Sequence, residues 1–243
     1  MQLIGPSKQD IRDEIDVLKD KLSFSNAQVL ELGCGAADKT RQIAEQTDVA
    51  HIVAAEVDTI QHEKNLTIND LPKVTFTSFG AEEINAADES FDIVLMFKSL
   101  HHVPIPHMDQ ALTEIFRVLK PGGMAYFSEP VFAGEFNEVI RLFHDESVVR
   151  EAAFQAVQRA TEQGLMHLQE QYFFKNVLRL QDFGQFEKGI LKATFVDHQI
   201  STHLLAEVKS RFEQHAGAEG YRFEIPNRVD LLTKAAGQGS PSG

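Results

Sequence analysis

Apolar residues along the chain form short runs that alternate with segments of helical periodicity. The runs at 29–32, 51–55 and 91–97 are apolar at almost every position, which is typical of parallel strands buried on both faces. A further strand is predicted at 74–79 from its β-branched and aromatic content, and another at 124–128, directly after the helix stop at Pro121-Gly122-Gly123. Helices are predicted between the strands, so the pattern indicates an α/β fold with a doubly wound, mostly parallel sheet.

One amphipathic helix is predicted before the first strand and another between the strands at 91–97 and 124–128. Apolar residues recur at helical spacing over residues 7–22, where Ser7 and Asp10 resemble an N-terminal capping pair. This helix is predicted either to cover a ligand cleft or simply to pack against the sheet edge. A second helix is predicted over residues 108–119, and Pro121 ends it before the fifth strand.

The alternation of strand and helix stops after the fifth strand. Residues 135–181 are rich in helix formers and show no strong strand pattern, so a helical insertion is predicted there. A helix near 202–215 follows. The segments 221–225 and 229–233 flank Pro226-Asn227, which predicts a hairpin of closing antiparallel strands and a seven-stranded sheet.

The length and composition fit one core with an insertion. A chain of 243 residues with 43% hydrophobic content can bury one sizeable core, but hardly two large independent ones. We therefore predict a core of residues 1–130 and 191–236, and a helical cap over residues 131–190 whose phenylalanines are interpreted as core or as homodimer contacts. Residues 237–243 lack apolar side chains and are predicted to be a disordered tail.

Charge and composition exclude several classes of protein. A formal net charge of −13 opposes nucleic acid or anionic membrane as a partner, because such binding draws on clustered Lys and Arg. No segment has the signature of a signal peptide or a membrane span, so a cytoplasmic protein is expected. With Cys34 as the single cysteine and only His101-His102 adjacent among ten dispersed histidines, no disulfide and no metal site are predicted.

The end of the first buried strand carries the richest local pattern. Glu31 closes an apolar run and is followed by Gly33-Cys34-Gly35, a turn that opens a polar helix. Glycines here admit positive φ and let a ligand approach the backbone, while the helix start offers free N–H groups. The second strand ends in Glu56-Val57-Asp58, where an acid accepts both ribose hydroxyls. A nucleotide-type cofactor site is predicted, with an ordinary glycine turn as the alternative.

The missing third glycine narrows the choice of cofactor. A dinucleotide fingerprint requires a glycine three residues after Gly35, where this chain has Asp38. An anion there opposes a pyrophosphate, so NAD and FAD are disfavoured. A ligand with a ribose but no phosphate, such as S-adenosyl-L-methionine (SAM), tolerates Asp38, and Glu31 favours its cationic amino acid end. A methyl donor is therefore predicted, with an NAD-linked oxidoreductase as the distant rival.

Four ordered motifs make the chain similar to a known superfamily. They are Glu31-Leu32-Gly33-Cys34-Gly35, Ala55-Glu56-Val57-Asp58, Phe91-Asp92-Ile93-Val94-Leu95 and Arg117-Val118-Leu119-Lys120-Pro121-Gly122-Gly123. Over roughly residues 28–130 the chain resembles class I SAM-dependent methyltransferases, and Leu100-His101-His102-Val103 makes it most similar to the methyltransferase type 11 group. The resemblance implies a Rossmann-like methyltransferase fold, SAM as cofactor, S-adenosyl-L-homocysteine (SAH) as product and a small-molecule substrate.

The predicted cofactor-binding residues are Glu31, Gly33, Cys34, Gly35, Glu56, Val57, Ala81, Glu82 and Phe97. In relatives, an Asp in the loop after the third strand reads the adenine amino group, and a gapless alignment places it at Gly80. The adenine contact is therefore predicted to be absent or displaced. Ala81 and Glu82 offer a backbone N–H and a side-chain oxygen, although Glu82 is equally interpreted as a solvated acid. Cys34 is interpreted as a small residue that fills the turn rather than as a nucleophile.

The predicted catalytic rim follows the fourth strand. Residues 98–102 lack the Asn/Asp-Pro-Pro-Tyr/Phe clamp of amino-group methyltransferases, which opposes DNA methylation. His101 is the first candidate for the base that removes a proton from the acceptor, and His102 the second. The alternative is that these histidines only cap or pack. The side chain of Lys98 is predicted to point outward rather than to hold an anionic substrate group, which is the alternative. Glu129 is predicted either to orient the substrate or simply to begin the next loop.

The sequence therefore predicts a SAM-dependent methyltransferase that acts on a small, apolar or modestly polar metabolite and uses O, N, S or C as the acceptor atom. The nearer rival is a SAM-binding protein without transferase activity, serving as a regulatory or interaction module. A cap of the predicted kind closes over small substrates in the superfamily that the chain resembles and excludes water there.

Overall fold

The computed structural model describes residues 1–191 and 200–235 and contains one nine-stranded sheet. The strands are β1 (Asp10–Ile11), β2 (Gln28–Leu32), β3 (His51–Ala55), β4 (Val74–Thr77), β5 (Phe91–Phe97), β6 (Leu119–Pro130), β7 (His167–Leu180), β8 (Ala216–Gly217) and β9 (Gly220–Thr233). The α-helices are α1 (Glu14–Lys21), α2 (Asp38–Gln46), α3 (Thr59–Asn65), α4 (Met108–Val118), α5 (Glu135–Ile140), α6 (Ser147–Glu162), α7 (Phe183–Phe186) and α8 (Thr202–Glu213).

The strand order is β1-β7-β9-β6-β5-β2-β3-β4, and β8 pairs with β9 outside this path. Strands β2 to β6 pair in parallel, whereas β9 runs antiparallel to both β6 and β7. The doubly wound α/β prediction is confirmed. Because β2 and β5 lie side by side at the centre, their carboxyl ends bring the glycine turn and the predicted catalytic rim together.

The predicted hairpin around Pro226-Asn227 is wrong, because β9 passes through this point as one continuous strand. Pro226 lacks an N–H, but its carbonyl accepts the N–H of Val131 at 2.9 Å. Asn227 donates its side-chain amide to Ile225 O at 2.8 Å and to Asn176 Oδ1 at 2.5 Å. These bonds hold an apparent turn sequence in an extended strand. The nine strands include the two-residue strands β1 and β8, so the predicted count of seven is approximate.

The helical insertion is confirmed for α5 and α6 and wrong for residues 167–180, which form β7. This strand pairs along its whole length with β9, from His167 opposite Thr233 to Leu180 opposite Tyr221. Pairing with β9, which lies more than forty residues away in the chain, therefore makes residues 167–180 a strand despite their local helix propensity.

The N-terminal helix is shorter than predicted. Residues Asp10–Ile11 pair with β7 as β1, and the helix begins only at Glu14, with Asp13 at its N-cap position. The predicted capping pair of Ser7 and Asp10 is therefore wrong. The buried face of α1 lies in the same apolar cluster as residues of β2, β3 and β5.

The helices cover both faces of the sheet, and a separate apolar cluster lies at the far end of the β7–β9 ladder. We call it the distal cluster; its buried members are Val139, Leu180, Phe186, Leu191, Val208, Phe212 and Phe223. Helix α6 instead packs into the main core through Ala153, Ala156, Val157 and Ala160. The division into a core and a cap at residues 131–190 stays a prediction. Within the described residues, no helix has the length and apolar character that crossing a membrane requires.

Candidate active site

The glycine turn between β2 and α2 is left-handed at both of its glycines. Gly33 has φ +73° and Gly35 has φ +53°, which glycine adopts without a steric penalty. The N–H groups of Gly33 and Cys34 donate to Ala55 O at 2.9 and 3.0 Å, which ties the turn to the end of β3. A Cβ on Gly35 would meet no heavy atom within 4 Å. The turn is therefore open at Gly35.

Glu56 links the glycine turn to the loop after β3. Its Oε2 accepts the N–H of Gly35 at 2.7 Å, and its Oε1 accepts the N–H of Asp58 at 2.9 Å. Asp58 in turn caps α3 with its side chain. The predicted ribose-binding acid is thus brought to the glycine turn and oriented by two backbone donors. The neighbouring Val57 is 62% exposed, which leaves a large apolar side chain beside the turn.

Glu31 and Cys34 lie beneath the turn rather than on its open side. Glu31 is 1% exposed and accepts the hydroxyl of Thr40 at 2.7 Å, and burial raises the pKa of Glu31 to about 7. Burial, together with Glu31 and Glu56, also raises the pKa of the Cys34 thiol. A buried thiol that stays protonated is a weak nucleophile.

In the loop after β4, the side chain of Glu82 lies over Gly80, the position at which relatives have an Asp. A Cβ on Gly80 would lie 2.7 Å from Cδ of Glu82, so the Glu82 side chain folds back over the glycine. Ala81 between them is buried, and the carbonyl of Glu82 accepts the side-chain amide of Gln110 at 2.9 Å. The carboxylate of Glu82 therefore fills the volume that a side chain on residue 80 would take.

The end of β5 is packed directly against the glycine turn. The hydroxyl of Ser99 donates to Leu32 O at 2.8 Å, and a Cβ on Gly33 would lie 2.7 Å from Cβ of Ser99. Lys98 has φ +54°, an unusual value for a residue other than glycine, and its N–H donates to Ser128 O at 2.7 Å. Phe97 is half-buried against the ring of Tyr126, with ring centroids 5.7 Å apart.

His101 is a buried histidine held between two carboxylates. Its Nδ1 is hydrogen-bonded to Glu129 Oε2, and Glu129 Oε1 accepts the N–H of Leu100 at 3.0 Å. Its Nε2 lies 3.6 Å from Glu146 Oε1. Burial alone would lower the pKa of His101, but Glu129 and Glu146 outweigh it and raise the pKa to about 9.

The second carboxylate of this cluster has several partners of its own. Arg150 donates to Glu146 Oε2 at 2.6 and 3.1 Å, and His144 Nε2 lies 2.8 Å from Oε1. Burial would raise the pKa of Glu146, but His101 and Arg150 hold it well below its usual range. The ring of His102 lies 4.2 Å from that of His101, centroid to centroid, and partial desolvation of the ring and the charge of His101 lower the pKa of His102.

A cavity of about 280 Å³ opens beside these histidines. Its apolar wall includes Phe136, Ile140, Phe143, Ile190 and Ile225, and its polar wall includes Lys98, His101, His102, Glu146 and Arg150. The sequence favours a Lys98 side chain that points away from the site. In the structure Lys98 is exposed, but it also forms part of the cavity wall. The sequence also missed Glu146 and Arg150, because no local pattern indicates that α6 and the residue before it meet the rim after β5.

Comparison with known proteins identifies the central segment. Residues 29–123 match the family described as methyltransferase domain. A sterol 24-C-methyltransferase of Yarrowia lipolytica is 32% identical over 115 residues, which cover 46% of this chain and 29% of that enzyme. The ubiquinone/menaquinone biosynthesis C-methyltransferase UbiE of Vibrio vulnificus is 32% identical over 113 residues, which cover 43% of each chain. The matched segments thus cover less than half the length of these relatives.

The similarity to solved structures extends over most of the chain. The structure of the YcgJ protein from Bacillus subtilis superposes with a TM-score of 0.66 and covers 92% of this chain and 98% of that protein. The two sequences are 16% identical, so this similarity shows a shared fold.

Proposed function

The chain belongs to the class I SAM-dependent methyltransferases, and from this premise we propose that it transfers the methyl group of SAM to a small-molecule acceptor bound in the cavity beside His101 and His102. The observation that carries the proposal is the glycine turn, where Glu56 accepts the N–H of Gly35, space is open beside Gly35, and the end of β5 leads to the cavity. When bound, SAM supplies a sulfonium methyl group that an acceptor lone pair can displace.

The residues around the glycine turn fit SAM. Each oxygen of Glu56 accepts one backbone N–H, which leaves lone pairs for the two ribose hydroxyls. We propose that the backbone of Gly33 and Gly35 contacts the amino acid end of SAM, with Cys34 filling the turn. Glu31 and Thr40 support the turn from below, and Glu31 complements the cationic ammonium group across it. The exposed Val57 offers an apolar contact for the adenine ring. We also propose that Phe97, at the end of β5, borders the bound cofactor.

Replacing Glu56 with Ala is expected to weaken SAM binding by at least tenfold. Each hydrogen bond to the carboxylate contributes roughly 1.5 kcal/mol or more, and 1.4 kcal/mol corresponds to about a factor of ten. Calorimetric titration with SAM and SAH measures the effect. The conservative Glu56→Gln change keeps one acceptor oxygen and should lose less affinity than Glu56→Ala. Equal affinity of the wild type and Glu56→Ala would exclude Glu56 as the ribose ligand.

We further propose that Glu82 reads the adenine amino group in place of the missing acid at position 80. The observation behind this assignment is that its carboxylate occupies the volume of a residue-80 side chain. The carboxylate is an acceptor, and the adenine amino group is a donor, so the two are complementary. Ala81 is then the backbone N–H donor of the same loop.

Replacing Glu82 with Ala is expected to weaken SAH binding by about tenfold, which corresponds to the loss of one hydrogen bond to a carboxylate. The double change Gly80→Asp with Glu82→Ala should restore most of the affinity, because it returns a carboxylate to the vacated volume. The adjacent Glu83→Ala change is the matched control and should bind SAH like the wild type. A double variant that binds no better than Glu82→Ala would contradict this assignment.

The cavity determines what kind of acceptor we propose. Its phenylalanine and isoleucine side chains suit a small acceptor with an apolar body, and the polar wall suits one functional group at its reactive end. The acceptor atom forms a bond to the methyl carbon as the bond from that carbon to sulfur breaks, and the acceptor's proton leaves to a base. Positioning accounts for much of the rate of such a transfer. We propose that His101 and His102 form the polar end of this acceptor site.

The test begins with calorimetry of the purified protein with SAM and SAH, after mass spectrometry has shown that no ligand is carried over. Micromolar binding is expected. SAH release is then measured with a panel of small apolar acceptors that bear hydroxyl, thiol, amine or acidic carbon groups. Absence of SAM and SAH binding to folded, ligand-free protein would refute the proposal. Binding without SAH release from any acceptor would favour a SAM-binding protein without transferase activity.

A further inference from the structure

The side chains on the polar wall of the cavity share a property that their spacing in the sequence does not reveal. One donor atom from each of His101, His102 and Glu146 lies within 4.8 Å of the other two. We propose that these three side chains bind one divalent transition-metal ion of the zinc type. Two imidazoles and one carboxylate form a known ligand set for such ions, with a further position left to water or substrate.

The spacing of the donor atoms suits an ion at their centre. Zinc lies about 2.0–2.1 Å from nitrogen and oxygen ligands, so two ligands of a tetrahedral site are roughly 3.4 Å apart. Nε2 of His101 and Oε1 of Glu146 are 3.6 Å apart, too far for a good hydrogen bond between them. This separation is close to that expected for two ligands of one ion.

Glu129 supplies the support that metal-binding histidines commonly have. Its carboxylate accepts Nδ1–H of His101, which fixes the ring and leaves Nε2 as the atom directed toward Glu146. The N–H of Leu100 holds the other oxygen of Glu129. Both protein parts of a carboxylate–histidine–metal arrangement, the histidine and its supporting carboxylate, are thus in place, and both are buried.

The other partners of Glu146 leave an oxygen for the ion. Arg150 donates to Oε2, so Oε1 is the ligand atom. His144 Nε2 lies 2.8 Å from this same oxygen and must give up that contact or join the ion as a fourth ligand. His102 is exposed at the cavity, so the ion can be reached from solvent and from a bound acceptor.

The ion would determine which acceptors the cavity takes, and this consequence rests on the proposed methyl transfer. A ligand position that faces the cavity favours acceptors whose hydroxyl or enolate oxygen can bind the ion. The ion would lower the pKa of a bound hydroxyl, whose proton would pass to solvent water at the open side of the cavity, and would stabilise the oxygen that attacks the methyl carbon as the bond from that carbon to sulfur breaks. In this arrangement, His101 and His102 are ligands of the ion, and neither acts as the general base.

Cobalt titration of the untagged protein tests the site without relying on activity. The protein is stripped with a chelator and titrated with Co²⁺, and visible absorption follows the ligand field; a parallel calorimetric titration uses Zn²⁺. We expect one equivalent of each ion to bind. Replacing the exposed His102 with Ala should weaken binding at least tenfold, whereas His107→Ala, which changes an exposed histidine outside the cluster, should leave it unchanged.

The metal proposal would be overturned if the protein bound neither Co²⁺ nor Zn²⁺ at one equivalent. It would also be overturned if His102→Ala and the wild type bound the ions with equal affinity. SAH affinity is measured on the same samples, because it depends on the glycine turn. Loss of SAH binding would refute the methyltransferase proposal and leave the cobalt result valid. Normal SAH binding without cobalt binding would refute the metal site alone.

Discussion

Replacing Arg228 with Met is expected to lower the free energy of unfolding by about 3–5 kcal/mol, the cost of leaving one member of a buried ion pair alone. Arg228 Nε donates to Asp230 Oδ2 at 2.7 Å, and the two side chains are 3% and 0% exposed. The guanidinium also lies 4.7 Å from the ring centroid of Phe154. After the change, the amide of Gln171 remains as the hydrogen-bonding partner of Asp230. Urea unfolding followed by circular dichroism measures the loss.

The same strand contains a matched control. Arg222 and Glu224 have the same spacing on β9 and a contact of 2.7 Å, but they are 41% and 32% exposed. Arg222→Met should therefore cost less than about 1 kcal/mol. The double change Arg228→Met with Asp230→Leu should recover much of the stability, because no buried charge is left unpaired. Similar losses of unfolding free energy for Arg228→Met and Arg222→Met would show that breaking the buried ion pair costs no more than breaking the exposed one.

The pH dependence of Arg228→Met has a definite sign. Burial raises the pKa of Asp230 above its ordinary value even though Arg228 and Gln171 oppose the rise. Removing Arg228 raises it further, so the folded variant holds a proton more tightly than the unfolded chain. Stability is then greatest at low pH and falls as the pH rises through the folded pKa. We expect the deficit relative to the wild type to be smaller at pH 5 than at pH 8.

Replacing Gly33 with Ala is expected to reduce SAH affinity by at least a hundredfold and to destabilise the fold. The new Cβ would lie 2.7 Å from Cβ of Ser99, so the turn or the end of β5 has to move. Ala also pays about 1–2 kcal/mol at φ +73°. Because the turn positions the N–H that Glu56 accepts, its displacement is expected to change the proposed cofactor site as well. Calorimetry and thermal unfolding measure the two effects.

Gly122 separates the dihedral penalty from the collision. It has φ +79°, and a Cβ there would meet no heavy atom within 4 Å. Gly122→Ala should therefore cost about 1–2 kcal/mol of stability and leave SAH affinity unchanged. If Gly33→Ala bound SAH like Gly122→Ala, close packing between the glycine turn and Ser99 would not matter for the cofactor site.

The parts of the fold that the sequence predicted well are those that local pattern determines. The bounds of β3 and β5 match their apolar runs because both faces of each strand are covered, so nearly every position must be apolar. The meeting of Glu56 with the glycine turn was also predictable. Adjacent parallel strands end at the same edge of the sheet, and the acid and the glycines lie at two such ends.

The parts that escaped prediction depend on partners far away in the chain. Residues 167–180 contain helix formers, and pairing with β9, and over two residues with β1, makes them a strand. The cluster of His101 and Glu146 joins the rim after β5 to the residue before α6, a contact that packing alone creates. Glu82 was identified, but its carboxylate could not be placed over Gly80, since side-chain direction in a loop has no periodicity.

The unbroken course of β9 decides how the region around the distal cluster can move. Its first half carries Phe223 into that cluster, and its second half pairs with β6 in the main core. A hinged lid needs a few residues that absorb a large change in φ and ψ. Here such a change in β9 would break the hydrogen bonds between β9 and β7, which run from Tyr221 to Thr233 on β9. Strand β9 is therefore not expected to act as the hinge of a lid, and any opening of the cavity has to come from the other segments that line it, at residues 130–150 and 189–190.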